Sequence, residues 1–370
     1  MQIPDKILEE IKTKPFSVSN KHGVVGLDGF VDKIVAPVKK RHGLGDQFDA
    51  VSTIAEMGTK ISAAAGKSAN IELYPRFEKL GGNGPIMANA MLSLGMKVRY
   101  IGALGQPNIH PVFEEFYAKT AAISLCEPGI TTALEFKDGK LMLGNTLSLE
   151  EIDYARIIEA AGEGEFIDLL SKADIVSIVN WTMIPTLSDV WESLLEELCP
   201  VLTGPRRKIF FDLADPAKRT RDDIRRAAAL ISRFNAWFEV ILGLNEREAF
   251  ALAEALDLPA RPRTPEGITA LALDLQHHLG IDTLAVHPTL YAVAASHGRA
   301  ALVEGPRLRS IVLTTGAGDH FNSGFCLGKL LGFDNDLALL TAVATSGFYV
   351  STGRSPGVSE LAIMLENWPV

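Results

Sequence analysis

Leu313-Thr314-Thr315-Gly316-Ala317-Gly318-Asp319-His320-Phe321-Asn322-Ser323-Gly324-Phe325 is the stretch on which the reading of this chain turns. Small residues crowd its first half, and an apolar periodic run follows, predicting a helix over Gly318–Leu331. Gly-Ala-Gly lets the backbone turn tightly with its N–H groups outward. At a helix N-terminus those donors and the dipole favour an anion. An Asp at such a place is repelled by a phosphate unless it has a task of its own. Accepting the proton of a hydroxyl that attacks a phosphoryl group is one such task. The plainer reading is a Gly-rich helix start with Asp319 as N-cap, and spacing alone favours neither.

Working outward, short runs of Val, Ile and Phe alternate with amphipathic stretches. Strands are predicted at His22–Leu27, Val98–Leu104, Asp174–Val179, Lys208–Leu213, Val240–Leu244, Thr283–His287, Tyr291–Ala295 and Ala300–Glu304. Helices are predicted at Pro85–Leu94, Val112–Lys119, Glu150–Ala160, Leu187–Leu198, Arg221–Phe234, Glu246–Leu256, Pro265–Leu279 and Leu337–Val350. Near-continuous apolar strands alternating with helices imply an α/β fold, with a mostly parallel sheet covered on both faces. Ser148 and Glu151 have the spacing of a capping box. Two regions break the rhythm. Residues 33–80 read as a long polar insertion, and 130–146 (ITTALEFKDGKLMLGNT) as a hairpin turning at Lys-Asp-Gly. The expectation is one α/β domain over 1–370, with a small β-rich lid from about 28–80 and 130–147.

Composition narrows the function. Thirty-six basic against 45 acidic residues give a net charge of −9, the wrong sign for a nucleic-acid binder. Three isolated cysteines (Cys126, Cys199, Cys326) offer neither a disulfide framework nor a cysteine zinc site, and suit a reducing cytoplasm. The opening MQIPDKILEEIKTK mixes both charges, unlike a signal peptide. Leu337–Gly353 is short for a membrane span and reads as a buried helix. No membrane partner is expected.

The quoted stretch, from Thr314 to Phe325, closely resembles the C-terminal signature of the ribokinase-like (PfkB) carbohydrate kinases. Gly81-Gly82-Asn83-Gly84-Pro85-Ile86-Met87-Ala88-Asn89-Ala90 resembles the family's Gly-Gly motif, and Asn245-Glu246-Arg247-Glu248 its N-x-x-E motif. The order is right, and the resemblance spans roughly residues 22–355. It implies a kinase that moves the γ-phosphoryl of ATP to a sugar or sugar-like hydroxyl with Mg²⁺. Asp319 would be the general base, and the N–H groups of Gly316, Ala317 and Gly318 the anion hole. Gly81, Gly82 and Asn83 would meet the acceptor, together with Asp28 or Asp32. Asp32 fits the family spacing better, and the alternative for Asp28 is a turn before Gly29. Asn245 and Glu248 would hold Mg²⁺ through water, and His287, Thr315 and Gly353 would belong to the nucleotide side. A homodimer through the lid hairpin is a further implication.

Departures keep rivals open. Leu313 stands where the family has Asp beside a monovalent-cation site. Ile86 replaces an Asn, and Ala285–Tyr291 lacks the glycines of the nucleotide loop. There His287 and Thr289 could line the nucleotide, or His287 could be a satisfied strand-end residue. An ADP-dependent sugar kinase of the same architecture shares the Gly-Gly segment, and a non-catalytic sugar- or nucleotide-binding regulator would also tolerate the altered loop. A donor panel separates the first, and product formation the second. Gly66-Lys67-Ser68 imitates a Walker A loop but has Ile61 where that motif needs Gly. Arg206, Arg207 and Lys208 read as a solvated cluster, Asp222, Asp223, Arg225 and Arg226 as a solvated helix face, and Trp181 and Trp191 as core or rim packing.

Overall fold

Strands that are apolar on both faces are satisfied only inside a covered sheet. In the computed structural model, which describes residues 18–368, that is where these runs lie. The first strands are β1 (His22–Leu27), β2 (Phe30–Arg41), β3 (Phe48–Ala50), β4 (Leu73–Gly81), β5 (Lys97–Gly102), β6 (Ile123–Ser124), β7 (Gly129–Phe136) and β8 (Gly139–Asn145). They continue with β9 (Ile175–Ile178), β10 (Arg207–Asp212), β11 (Phe238–Asn245), β12 (Thr283–His287), β13 (Tyr291–Ser296) and β14 (Arg299–Glu304). The large sheet has the order β14-β13-β12-β11-β10-β9-β1-β5-β6. From β12 to β6 every neighbour is parallel, and β13 and β14 add antiparallel pairs at one edge.

Alternation along a strand sends neighbouring side chains to opposite faces. In β10, Phe211 enters a core with Trp181, Trp191 and Phe234, while Phe210 enters the opposite core with Tyr100, Phe113 and Phe325. On the second face, helix Ala317–Leu330 packs on helix Asn335–Thr352. A methyl at Gly324 would sit 2.6 Å from Thr345 Oγ1 and 2.9 Å from Ala342 Cα. The close approach of the two helices therefore depends on that missing side chain.

A second, smaller sheet grows from the same end of the large one. Its centre is β2, antiparallel to β4 and parallel to β7, with β8 folding back on β7. Phe30 is in register with both Gly81 and Gly129, so three strand ends meet two residues past Asp28. The hairpin turns at Lys137-Asp138, since Phe136 faces Gly139.

Several sequence expectations need correction. Residues 33–80 are regular, holding most of β2, β3, a helix at Ile54–Ala63 and β4. Their polarity belongs to a thin sheet with one exposed face. Ser148 and Glu151 form no capping box; a 3-10 turn occupies Leu147–Glu151, and Asp153 caps the helix Tyr154–Ala161 by accepting from Arg156 N. Arg207 is buried, donating to Ser171 and Thr203 carbonyls, because β10 begins inside the fold. Arg206 donates to Asn235 and Asp282, whereas Asp222, Asp223, Arg225 and Arg226 do form a solvated helix face with a local Arg225–Asp222 pair, from which Arg225 and Arg226 also reach Asp257, Asp189 and Glu192 on other elements. Gly66-Lys67-Ser68 lies exposed after the Ile54–Ala63 helix. The opening segment MQIPDKILEEIKTK lies outside the described residues. Among the described residues no helix is long and apolar enough to cross a membrane.

Gly324→Ala is expected to destabilise the chain by about 1–3 kcal/mol in urea unfolding, because the clash with Thr345 outweighs a helix-propensity gain of at most about 1 kcal/mol. An unchanged midpoint would show that the two helices part freely.

Candidate active site

Parallel sheets present their ligand crevice outside the carboxyl ends of the strands. Here Asp28 follows β1, Asn180 follows β9, Asp212 ends β10, Asn245 ends β11 and His287 ends β12. Helix Asn83–Ser93 begins against this edge, and its N-cap, Gly82, has no side chain to offer the first N–H groups. Asp28 supplies the cap from another strand. Its Oδ2 accepts from Asn83 N at 2.9 Å and from Asn180 Nδ2 at 2.6 Å, and its Oδ1 from Gly84 N at 2.8 Å. Tyr100 donates to the Asp28 carbonyl at 2.5 Å. Even with these donors, complete burial pushes the Asp28 carboxyl up to about 6. Its oxygens are committed to the protein's own donors.

Asp32, in β2, stands differently. It is buried beside Thr131 and near Lys79 and Lys140, and burial raises its carboxyl above the ordinary range. A Cβ at Gly81 would lie 2.4 Å from Asp32 Oδ1, so the first glycine of the Gly-Gly pair makes the room that this carboxylate occupies.

The two glycine motifs meet. Asn83 Nδ2 donates to Asp319 Oδ1 at 3.0 Å across 236 residues of sequence. Gly316, left-handed at φ 90°, is the N-cap of the helix that carries Asp319, and no side chain caps it. Asp319 therefore lies in the first turn, not at the N-cap. Its carboxyl turns to Asn83, and among the described residues the one hydrogen bond it accepts is this one, at Oδ1. Burial, then the Asp212 and Asp28 charges, push Asp319 well above the usual carboxylate range, while Asn83 pulls it down.

On the other side of the turn, His287 is in register with Asn245 and packs on Phe321 at 4.7 Å between ring centroids. Its ring lies against Gly318, whose added Cβ would be 3.3 Å from His287 Cε1. Burial lowers its imidazole to about 4, so it is neutral near neutrality. Asn245 and Glu248 form a capping box: Asn245 Oδ1 accepts from Glu248 N, and Glu248 Oε2 from Asn245 N. Glu248 Oε1 accepts from Asp215 N at 3.0 Å. Thr315 lies in the turn itself. Gly353 ends helix Asn335–Thr352 in the left-handed conformation, beside Val312.

Sequence reading missed Asp212, Asn180 and Asn322. Asp212 is buried, accepts from Asn322 Nδ2 at 2.8 Å and is raised by burial and by Glu248. Asn322 stands in the quoted stretch, one turn beyond Asp319, which was the available signal. Asn180 carried none, because its left-handed backbone and its bond to Asp28 exist only in the fold.

Comparison with solved structures shows the same fold. The carbohydrate kinase from Agrobacterium tumefaciens superposes with a TM-score of 0.65 at 17% identity, covering 94% of this chain and 98% of that one. The fructokinase of Xylella fastidiosa with bound ATP gives 0.65 at 13% identity, over 94% and 99%. Fold and site define a ribokinase-like (PfkB) carbohydrate kinase, a phosphotransferase with an alcohol group as acceptor. A family model described as prokaryotic ketohexokinase matches residues 4–368, and the ketohexokinase of Haloferax volcanii is 30% identical over 349 residues, 94% of this chain and 91% of that protein. The chain belongs to the prokaryotic ketohexokinase family.

Asp28→Asn places an amide N–H₂ among groups that all donate, and is expected to cost about 1–3 kcal/mol in denaturant unfolding. It also changes the pH dependence. The native carboxyl, at about 6 against 3.8 unfolded, binds its proton more tightly in the fold. Stability from this group is therefore full below about pH 4 and is lost as pH rises through about 6. The variant should lose that part of the slope, and an identical pH profile would contradict the buried carboxyl.

Proposed function

We propose that the chain transfers the γ-phosphoryl group of ATP to a hydroxyl of a ketohexose, with Asp319 as general base and the Gly316–Gly318 turn as anion hole. The observation that carries this is the hydrogen bond from Asn83 Nδ2 to Asp319 Oδ1, which joins the two glycine motifs at the carboxyl edge of the sheet. Membership of the ketohexokinase family supports the acceptor class. Asp319 Oδ2 takes the hydroxyl proton, the hydroxyl oxygen forms the new P–O bond, and the bond to the departing ADP breaks. Burial strengthens Asp319 as a base, as a group working near neutral pH requires. N–H groups of the turn receive the phosphoryl oxygens. Asp32, with Gly81, Gly82 and Asn83, holds the acceptor hydroxyls, while Asp28 fixes the Asn83 turn. His287, Thr315 and Gly353 line the nucleotide side.

A hydrated Mg²⁺ suits the site. Among the described residues no three side chains converge as a direct metal cage, and Mg²⁺ keeps most of its waters. Each Glu248 oxygen accepts one backbone N–H and retains a second lone pair. Glu248 and Asn245 would hold the ion through water, and when bound it neutralises phosphate charge.

The second sheet, from residues 28–80 and 130–147, acts as a lid over the acceptor, excluding water from the phosphoryl group. Lys33, Lys39 and Arg41 are committed there to Glu78, Glu56 and Glu72. Exposed Phe77, Met142 and Leu143 on this sheet support a homodimer. Free buried cysteines suit work in the cytoplasm.

A coupled assay tests the reading with ATP or ADP as donor against a panel of sugars. Turnover with ATP and a ketohexose is expected, abolished by chelation and restored by Mg²⁺; turnover with ADP alone would replace the donor. Asp319→Asn should lose about 10³-fold or more in kcat while still binding nucleotide, and a wild-type rate in that variant sinks the base. Activity should fall with decreasing pH through a limb above that of an ordinary aspartate, since Asp319 works deprotonated.

A further inference from the structure

N–H groups of a turn can receive a phosphoryl group only when something aims them. Helix geometry fixes the peptide units after Gly316, for His320 N donates back to Gly316 O at 3.1 Å. The unit between Thr315 and Gly316 lies outside the helix. A planar trans peptide carries its C=O and the next N–H in opposite directions, and the cis bonds of the described residues lie elsewhere. Whatever holds the Thr315 carbonyl therefore aims the Gly316 N–H. Tyr349, on helix Asn335–Thr352, donates its hydroxyl to Thr315 O at 2.8 Å.

The tyrosine is itself held in place. Its ring stacks on His320 at 3.6 Å between centroids and 15° between planes. A carbonyl only accepts, so His320 Nδ1 donates to Gly316 O at 2.7 Å, and Nε2 must then accept from Ser355 Oγ at 2.8 Å. Ser346, one turn before Tyr349, donates to Ala317 O at 2.9 Å. Two carbonyls, Thr315 and Ala317, are thus drawn to the side facing this helix, while Gly316 O is held by His320 of its own helix. The N–H groups of the same peptide units, on Gly316 and Gly318, are turned away from it. Ala317 N is engaged by Thr314 O, which leaves Gly316 and Gly318 as the donors to spare. A Cβ on Gly316 would stand 3.1 Å from the Tyr349 hydroxyl, so the ring is seated directly against the turn.

We infer that Tyr349, seated by His320 and Ser355, is a positioning residue that aims the Gly316 N–H into the phosphoryl site. The inference rests on the anion-hole assignment above and adds to it the side chains that preorganise the hole.

Tyr349→Phe removes only the hydroxyl and keeps the stack on His320. Measured with the sugar and nucleotide that the wild type uses, its kcat should fall about tenfold with sugar KM within about twofold, as for loss of one hydrogen bond felt mainly in the transition state. Unchanged kcat, or a loss confined to sugar KM, overturns the positioning role. A second readout needs no acceptor: thermal shift with inorganic sulfate on the same two proteins. Half-saturation should rise about threefold or more in Tyr349→Phe, and equal half-saturation overturns the inference. If wild type turns over no sugar but the sulfate difference stands, the kinase reading fails alone. If Asp319→Asn is inactive while Tyr349→Phe matches wild type in both readouts, the positioning role fails alone.

Discussion

The Asp28 carboxylate is the junction on which the site hangs. One buried group gathers the first two N–H groups of helix Asn83–Ser93 and the Asn180 amide after β9, while Tyr100 of β5 bonds its backbone. The Gly-Gly turn is glycine-rich and brings no cap of its own, so without Asp28 the helix would start with unsatisfied donors in a buried place. Burying the charge costs free energy, as its raised pKa records. The return is that Asn83 is presented in one orientation, with its amide on Asp319.

The same edge of the sheet concentrates negative charge. Asp28, Asp212, Glu248 and Asp319 are all buried there; burial raises each carboxyl, and the Asp28 and Glu248 charges raise Asp212 and Asp319 further, with Asp212 adding to Asp319. Such a cluster opposes an anionic ligand except where N–H groups and a cation intervene. In the proposed reaction the glycine turn would provide the first, and a hydrated Mg²⁺ the second. The buried acids divide by their bonds: Asp28 is occupied by backbone N–H groups and the Asn180 amide, Glu248 by backbone N–H groups, Asp212 by Ala214 N and Asn322, while among the described residues the Asp319 carboxyl accepts from Asn83 alone.

Most of the large sheet was legible along the chain. β1 and β12 fall on the expected residues, as do the helices Arg221–Phe234 and Pro265–Leu279, where Thr220 and Thr264 cap the first turns. These elements are bounded by local chemistry, and apolar runs of fixed period announce them. The second sheet was not legible beyond its hairpin. β2 alternates poorly because it pairs along both edges and meets the crevice at one end, so its burial follows contacts that are distant in sequence.

In the site, the glycine turns and Asp319 carry a local signal, because tight backbone turns restrict residue type. Asn180, Asp212 and Tyr349 carry none, being ordinary residues at strand ends or on a helix. The sequence by itself determined the alternation of strand and helix, the two glycine motifs and the acid placed behind the second. Only the tertiary structure decided that Asp28 is a cap while Asp32 stays available, that Asn83 bonds Asp319, and that a tyrosine from the next helix holds the turn. Periodicity and turn chemistry act over a few residues and can be read in order. A hydrogen bond between residues 83 and 319 depends on the sheet bringing two strand ends together, which no local pattern encodes.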